Sequence, residues 1–384
     1  MRYGIGRFEI MQSRWDIFCT VVDNFGDIGV TWRLARQLAA EYPYRVRLWV
    51  DDLSAFVAIC PQASLLAEQV VAGVTVCQWG AWQSEPADVV IEAFGCELPH
   101  ALVSQMKALS KKPLWLNLEY LSAEAWVEGC HGLPSPQGSG LNKTFFFPGF
   151  TDKTGGLLRE KSLFAERDDF IANHAEVDTF LKRLGVVPRP DVRRISLFAY
   201  EISSLGEWLT ALSISTAPTQ LLVPNGRVLG NVAKWLGVSD PKPFEVYEKG
   251  ALSVHIVPFM SQEDYDKLLW CCDMNCVRGE DSFIRAQWAG KPFVWHIYPQ
   301  DEDAHFVKLD AFLAQFTHDF PEDLAISISG FWHAWNRDQG IAEAWNRLEQ
   351  LSQVWGEYTA KWLQTQASYP DLAQALAKFY ENSL

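Results

Sequence analysis

Residues 15–34, WDIFCTVVDNFGDIGVTWRL, decide the fold of this chain. The first eight are apolar at nearly every position, which is typical of a buried strand, and residues 23–29 then form a polar, glycine-bearing turn. Over residues 31–40 leucines and alanines recur at helical spacing, and Pro43 stops this helix before a strand at 46–50. This order of strand, helix and strand predicts one βαβ unit.

The same alternation continues along the chain, with a hinge around Gly185 and the prolines that follow it. Before the hinge we expect strands at 74–77, 89–93 and 114–118, a long surface connection over 134–156 and a helix over 170–184. After it we expect strands at 195–200, 220–223, 254–257, 274–277 and 292–296, with helices between them and a helical tail from residue 304.

This pattern predicts an α/β protein of two Rossmann-like domains, residues 1–186 and 187–384, and leaves open that C-terminal helices pack back on the first domain. Open α/β sheets bind ligands at the carboxyl ends of their strands. The loops that follow the strands are therefore the candidate sites.

The charge balance bears on the partners of the protein. With 33 Lys and Arg against 47 Asp and Glu, the net charge is −14, so the long-range field repels a nucleic acid. No apolar run approaches the roughly 20 residues that span a bilayer, and the first fourteen residues lack the apolar core of a signal peptide. We expect a cytoplasmic protein that binds neither nucleic acid nor membrane.

A metal ion or cofactor is not expected. Most of the eight cysteines lie in apolar runs, and Cys271, Cys272 and Cys276 lack the paired spacing of a zinc site. The Asp-x-Asp triplets at 264–266 and 301–303 match a metal-binding signature, but the first lies inside a predicted helix, which shows how readily the triplet arises. P-loop, HExxH and GxSxG motifs are absent from the sequence.

The first candidate loop carries Asp23, Asn24, Phe25, Gly26 and Asp27, so two carboxylates follow strand one directly. Its glycines do not match GxGxxG, which argues against a nicotinamide cofactor. An aspartate that caps the next helix explains the same residues without a function, and the residues alone do not decide between the two interpretations.

The second candidate loop, residues 278–282, lies between a buried strand and a helix. Gly279 permits close backbone approach, Arg278 supplies a positive charge, and free N–H groups near Ser282 point at an anion, which together are typical of a phosphate site. Glu280 and Asp281 would then accept hydrogen bonds from sugar hydroxyls. The alternative is that Asp281 or Ser282 caps the helix and Arg278 forms a surface ion pair.

Aromatic residues follow three strands of the second half. Phe198 and Tyr200 end one predicted strand, Phe259 follows another shortly before Gln262, and Tyr298 follows a third. Rings at strand ends can stack on a nucleobase, although each one singly is more often part of a core. His296 is expected to be a hydrogen-bonded structural residue.

Several of these segments resemble the elongation factor P arginine rhamnosyltransferases, the EarP family. The resemblance covers about residues 15–310. It is carried by residues 22–36 (VDNFGDIGVTWRLAR), 119–124 (EYLSAE), 133–137 (LPSPQ), 278–283 (RGEDSF) and 296–301 (HIYPQD).

This resemblance implies a GT-B fold with two domains facing a cleft, dTDP-β-L-rhamnose as donor, and inverting transfer to one arginine of elongation factor P. It also implies residue roles. Asp27 is the candidate general base, supported by Asp23, and Glu280 is a further catalytic candidate. The implied substrate-binding residues are Asn24, Phe25, Gly26, Phe198, Tyr200, Phe259, Gln262, Arg278, Asp281, Ser282 and Tyr298, with Phe198 and Phe259 enclosing the thymine. The alternatives are a non-catalytic nucleotide-sugar-binding protein and a GT-B enzyme with another acceptor.

Overall fold

The structure is a computed structural model that describes residues 12–21, 25–80 and 84–384. It divides into two compact units. The first contains the described residues up to Tyr120 together with Cys130–Pro148 and Leu372–Leu384, and the second contains Leu121–Gly129 and Gly149–Asp371.

The first unit is built on an eight-stranded sheet in the order β3-β4-β2-β1-β5-β6-β8-β7. Its strands are β1 (Ser13–Cys19), β2 (Tyr44–Val50), β3 (Glu68–Val71), β4 (Val74–Gln78), β5 (Val89–Ala93), β6 (Leu114–Leu118), β7 (Pro134–Pro136) and β8 (Asn142–Phe146). The six central strands are parallel, and β3 and β7 pair antiparallel at the edges. The helices of this unit in the first part of the chain are α1 (Gly26–Glu41), α2 (Leu53–Ile59) and α3 (His100–Ala108), and the short helix α4 (Trp126–Cys130) lies almost entirely in the residues of the second unit.

Helix α1 begins earlier than predicted. The Gly29 N–H already donates to the Phe25 carbonyl at 2.9 Å, so helical bonding begins within the stretch expected to be a turn. Asp27 therefore lies in the first turn of the helix, and its carbonyl accepts the Thr31 hydroxyl at 2.9 Å. The sequence places glycine and aspartate here, which are common at helix starts as well as in turns.

The prediction of a surface connection over residues 134–156 is wrong. Strand β8 pairs parallel with β6 inside the sheet, and Phe146, Phe147 and Phe150 are buried. The Pro, Gly and Ser residues that suggested a loop form the hairpin between β7 and β8, where Gly138 and Gly140 have positive φ.

The second unit contains a six-stranded sheet in the order β11-β12-β10-β9-β13-β14. Its strands are β9 (Arg193–Leu197), β10 (Thr219–Pro224), β11 (Val246–Lys249), β12 (Leu252–Val257), β13 (Met274–Arg278) and β14 (Phe293–His296), all parallel except the edge strand β11. The helices are α5 (Leu163–Ala172), α6 (His174–Arg183), α7 (Leu205–Ile214), α8 (Leu229–Leu236), α9 (Gln262–Cys271), α10 (Asp281–Ala289), α11 (Ala304–Phe316), α12 (Glu322–Asn336), α13 (Ile341–Glu349) and α14 (Ser352–Ala367).

The second unit contains Leu121–Gly129 and then the chain from Gly149 to Asp371, so the predicted domain boundary at 186/187 falls inside it. The single helix expected over 170–184 is two helices, α5 and α6, separated at Asn173, whose side chain caps α6. Phe170 and Phe180 of these helices pack in one core with Ile195 of β9. Burial of these side chains joins α5 and α6 to the core of the second unit.

The last helix, α15 (Leu372–Glu381), returns to the first unit. Its Tyr380 packs edge-on against Trp15 at 5.5 Å between ring centroids, and its hydroxyl lies 3.0 Å from the Ser13 hydroxyl. The end of the chain thus covers the amino end of strand β1. No helix in the described part of the chain is long and apolar enough to cross a membrane.

Substitution Gly156→Ala is expected to destabilise the second unit by about 3 kcal/mol or more, because the added Cβ would lie 2.1 Å from the Pro370 carbonyl oxygen and φ is +70°. Gly340 has φ +68° and open space around it, so Gly340→Ala is the matched control, with an expected cost of about 1 kcal/mol from backbone strain alone. If urea unfolding showed the same loss of unfolding free energy for the two variants, the packing argument would be contradicted.

Candidate functional site

The carboxyl ends of the central strands in the second unit bring aromatic and charged side chains together. Phe198 and Tyr200 follow β9, Arg278 ends β13, and Tyr298 follows β14. Strands β9, β13 and β14 are neighbours in the sheet, so these loops lie side by side. Sequence order alone would not place residues 80 positions apart next to one another.

Arg278 is the centre of this group. Its guanidinium carbon lies 4.5 Å from the centroid of the Phe198 ring and 4.8 Å from that of Tyr200. Tyr200 in turn meets Tyr298 edge-on at 5.5 Å. Arg278 is 9% exposed, so the rings hold its guanidinium in place and water screens its charge little. Such a fixed cation suits an anionic ligand.

The turn between β13 and α10 has the geometry of an anion site. Gly279 has φ +61°, which a residue with a side chain adopts only with strain, and its carbonyl accepts the Trp295 indole N–H at 2.7 Å. The first N–H groups of α10 have no carbonyl within the helix to bond, and the helix dipole adds positive potential there. The Ser282 hydroxyl donates to the Arg278 carbonyl and accepts the Arg278 N–H, so it also closes the turn.

The acidic residues of this turn contact other protein groups. Glu280 accepts the Leu121 N–H at 3.1 Å, and its other oxygen lies 3.7 Å from the Lys308 amine. Asp281 accepts the Gln262 side-chain amide at 3.1 Å. Gln262 and Asp281, assigned to substrate binding from separate segments, are thus neighbours. The catalytic role of Glu280 stays a prediction, since the contacts seen for it are structural.

Phe259, which follows β12, and Tyr298 are the exposed rings among the candidate residues. They are 42% and 49% exposed, whereas Tyr200 is buried. Phe198 packs edge-on against Tyr265 at 5.6 Å, which supports its ring from the α9 side. An exposed ring can cover a flat ligand, and the stacking role of Phe259 stays a prediction.

The Nδ1 atom of His296 is buried without a hydrogen-bond partner, so at this nitrogen the expectation of a hydrogen-bonded residue is not met. The ring packs edge-on against Tyr200 at 5.2 Å. Burial lowers the pKa of His296 to about 3, with Arg278 also opposing protonation and Asp338 favouring it. The imidazole is therefore neutral next to the positive Arg278.

This burial predicts a loss of stability in acid. Since an unfolded histidine has a pKa near 6.5, the unfolded state gains a proton that the folded state cannot bind, and stability falls as the pH drops from 6.5 towards 3. At pH 5 this effect of His296 lowers the free energy of unfolding by about 2 kcal/mol relative to neutral pH. His296→Phe should remove this part of the pH dependence. Equal changes in urea unfolding free energy between pH 7.5 and pH 5 for both proteins would contradict the assignment.

Two neighbouring residues escaped sequence reasoning, Gly226 and Arg227, which follow β10. A Cβ on Gly226 would lie 3.0 Å from the Phe198 ring, so the glycine allows that ring to lie against the loop. The Arg227 guanidinium carbon lies 5.3 Å from the Tyr200 centroid. The strand-end rule that selected the other loops applies equally to β10 and would have identified both residues.

The candidate residues of the first unit are partly described. Asp23 and Asn24 lie outside the described residues. Phe25 immediately precedes α1 and Gly26 is its first residue, while Asp27 is 4% exposed in the first turn, at the carboxyl end of β1. A carboxylate at this position is stabilised by the helix dipole. Burial raises the pKa of the nearby Cys19 thiol, and the charge of Asp27 raises it further.

Across residues 12–21, 25–80 and 84–384, no three His, Cys, Asp or Glu side chains come together as a possible metal site. All eight cysteines are free thiols. The positive charge of the group described above comes from arginine and from a helix terminus.

Comparison with known proteins identifies the family. The family model described as Elongation-Factor P (EF-P) rhamnosyltransferase EarP matches residues 15–381. The chain belongs to the EarP family. A protein-arginine rhamnosyltransferase of Pseudomonas putida is 56% identical to this EarP-family chain over 377 residues, which cover 97% of the chain and 100% of the relative.

Comparison with solved structures agrees with this family assignment. One from work on EarP-mediated arginine glycosylation of translation elongation factor EF-P is 41% identical, with a TM-score of 0.72, and the match covers 97% of this chain and 100% of that one. MurG of Acinetobacter baumannii matches with a TM-score of 0.51 at 13% identity, and the match covers 97% of this chain and 99% of the MurG chain. At this identity the likeness shows the fold alone. The predictions of an α/β class, a GT-B glycosyltransferase fold and EarP family membership are confirmed, and this EarP-family chain is an enzyme of the glycosyltransferase class.

Proposed function

We propose that this chain transfers L-rhamnose from dTDP-β-L-rhamnose to one arginine of elongation factor P, with inversion at the anomeric carbon. The observation that carries the proposal is the Arg278 guanidinium held over Phe198 and Tyr200 beside the amino end of α10. Membership of the EarP family supplies the sugar and the acceptor.

The second unit suits the donor. The diphosphate of the donor would accept hydrogen bonds from the first N–H groups of α10. Arg278 would balance the negative charge that develops on the departing dTDP. The thymine would stack on Phe198 and Phe259, with the exposed ring of Phe259 closing over it. Gln262, held by Asp281, would present an amide to the base or the ribose. Because arginine and the helix terminus supply the positive charge, we propose that the reaction needs no metal ion.

The acceptor chemistry sets the task of Asp27. A guanidinium has a pKa above 12, so a carboxylate cannot deprotonate it fully before reaction. We propose that Asp27 orients the acceptor guanidinium and takes its proton as the bond between nitrogen and the anomeric carbon forms. The bond between that carbon and the dTDP oxygen breaks on the opposite face. Asp23 would support Asp27, while Asn24, Phe25 and Gly26 would shape the loop around it.

The decisive experiment incubates the full-length protein with elongation factor P and dTDP-β-L-rhamnose. Mass spectrometry should find one deoxyhexose on one arginine of the factor, and no addition when that arginine is replaced by lysine. NMR of the product should show the anomeric configuration inverted relative to the donor, and EDTA should leave the rate unchanged. Donor consumption without sugar on the factor would overturn the acceptor assignment, and retained configuration would overturn the single displacement.

A further inference from the structure

The loop that follows β10, residues 225–228, lies beside the candidate donor site. Strand β10 sits between β12 and β9 in the sheet, so its carboxyl end adjoins the loop that carries Phe198 and Tyr200. The short distance between Gly226 and the Phe198 ring confirms this adjacency. A ligand that contacts Phe198 would thus find this loop within reach.

Arg227 is held in a defined position in that loop. Its Nε donates to Glu201 at 2.9 Å, and its guanidinium lies over the Tyr200 ring. The planar guanidinium suits both contacts, and a group fixed before binding loses less entropy when it binds a ligand. The Arg227 side chain remains 42% exposed while it makes these contacts.

Two guanidinium groups face the Tyr200 ring. Both Arg278 and Arg227 lie close to this one ring, at 4.8 and 5.3 Å from its centroid. Glu201 is the acidic group that pairs with Arg227, and the bond from Arg227 lowers the pKa of Glu201, with a smaller contribution from the charge of Arg278. Asp338 is a second carboxylate nearby, since its charge acts on the His296 ring that packs against Tyr200. The placement of two guanidinium groups at one ring, rather than the net charge, therefore suits an anionic ligand that both can contact.

We propose that Arg227 is a second cationic contact for the diphosphate of the nucleotide-sugar donor, positioned by Glu201 and Tyr200. This inference rests on the proposed function, because it assumes a nucleoside diphosphate at the carboxyl ends of β9 and β13. Arg278 would contact the diphosphate from the β13 side and Arg227 from the β10 side. Together they would neutralise the leaving group.

Calorimetric titration of the full-length protein with dTDP tests the proposal. Arg227→Gln should weaken dTDP binding by about tenfold, the effect of losing one charge-assisted hydrogen bond. Arg189→Gln is the matched control, because Arg189 is also exposed and also pairs with a glutamate of the same unit, Glu248. It should leave the dTDP affinity unchanged. Thermal unfolding should barely move in either variant, since exposed ion pairs stabilise little.

Glu201→Gln separates a ligand contact from a structural one. It breaks the ion pair but keeps the Arg227 cation, so dTDP affinity should be retained or should rise. If Glu201→Gln weakens dTDP binding as much as Arg227→Gln, the ion pair merely supports the loop and the proposal fails. It also fails if Arg227→Gln binds dTDP as the Arg189→Gln control does. Absence of dTDP binding by the unaltered protein would instead overturn the proposed function.

Discussion

Replacement of Asp27 by asparagine is expected to slow rhamnose transfer to elongation factor P by a factor of about 10² to 10⁴, the range for loss of a general base. The amide keeps the size and much of the hydrogen bonding of the buried carboxylate but cannot accept the proton of the acceptor guanidinium. Because Asp27 is proposed to contact the acceptor guanidinium rather than the nucleotide, the dTDP affinity should stay within about twofold. Single-turnover transfer, followed by mass spectrometry of the factor, measures the effect.

Glu68→Gln is the control for this change, since it removes one carboxylate from the exposed edge strand β3 of the same unit. Its transfer rate should equal that of the unaltered protein. An Asp27→Asn enzyme that transfers at the normal rate with normal dTDP binding would show that Asp27 is not the base. A folded-state check by thermal unfolding separates loss of chemistry from loss of structure.

Replacement of Arg278 by glutamine should lower kcat/KM for the donor by about 10² to 10³, the usual cost of removing one group that stabilises charge in the transition state. The loss should appear in kcat as well as in dTDP affinity, because Arg278 is proposed to bind the ground state and to balance charge as dTDP departs. Steady-state kinetics with varied dTDP-β-L-rhamnose and calorimetry with dTDP measure the two parts.

The kcat/KM of Arg278→Lys should lie between that of the unaltered protein and that of Arg278→Gln. Lysine keeps the positive charge but cannot stack flat on Phe198 and Tyr200. Arg347→Gln serves as the control, because Arg347 is 71% exposed in an ion pair within helix α13. A kcat/KM for Arg278→Gln within about twofold of that of the control would contradict the assigned role.

Much of the fold could be predicted because its signals are local. The apolar run before Asp23 and the helical spacing after it predict β1 and α1, and the same patterns predict the central strands of both sheets. Local signals misled where prolines and glycines around residues 134–141 suggested a loop, because a hairpin there leads into β8. The domain division near Gly185 stays a prediction, and Phe180 packs in the core of the second compact unit.

The sequence by itself determined the alternation of strands and helices, the family, and the candidate residues at the strand ends, because periodicity and motif are properties of neighbouring positions. The tertiary structure alone decided which of those residues meet. The stacking of Arg278 on Phe198 and Tyr200, the hold of Glu201 on Arg227, the contacts of Glu280 with Leu121 and Lys308, and the return of α15 to the first unit all join distant segments. These contacts depend on strand order and on which buried surfaces pack together, and the free energy of that packing is shared among many residues that no local pattern reveals.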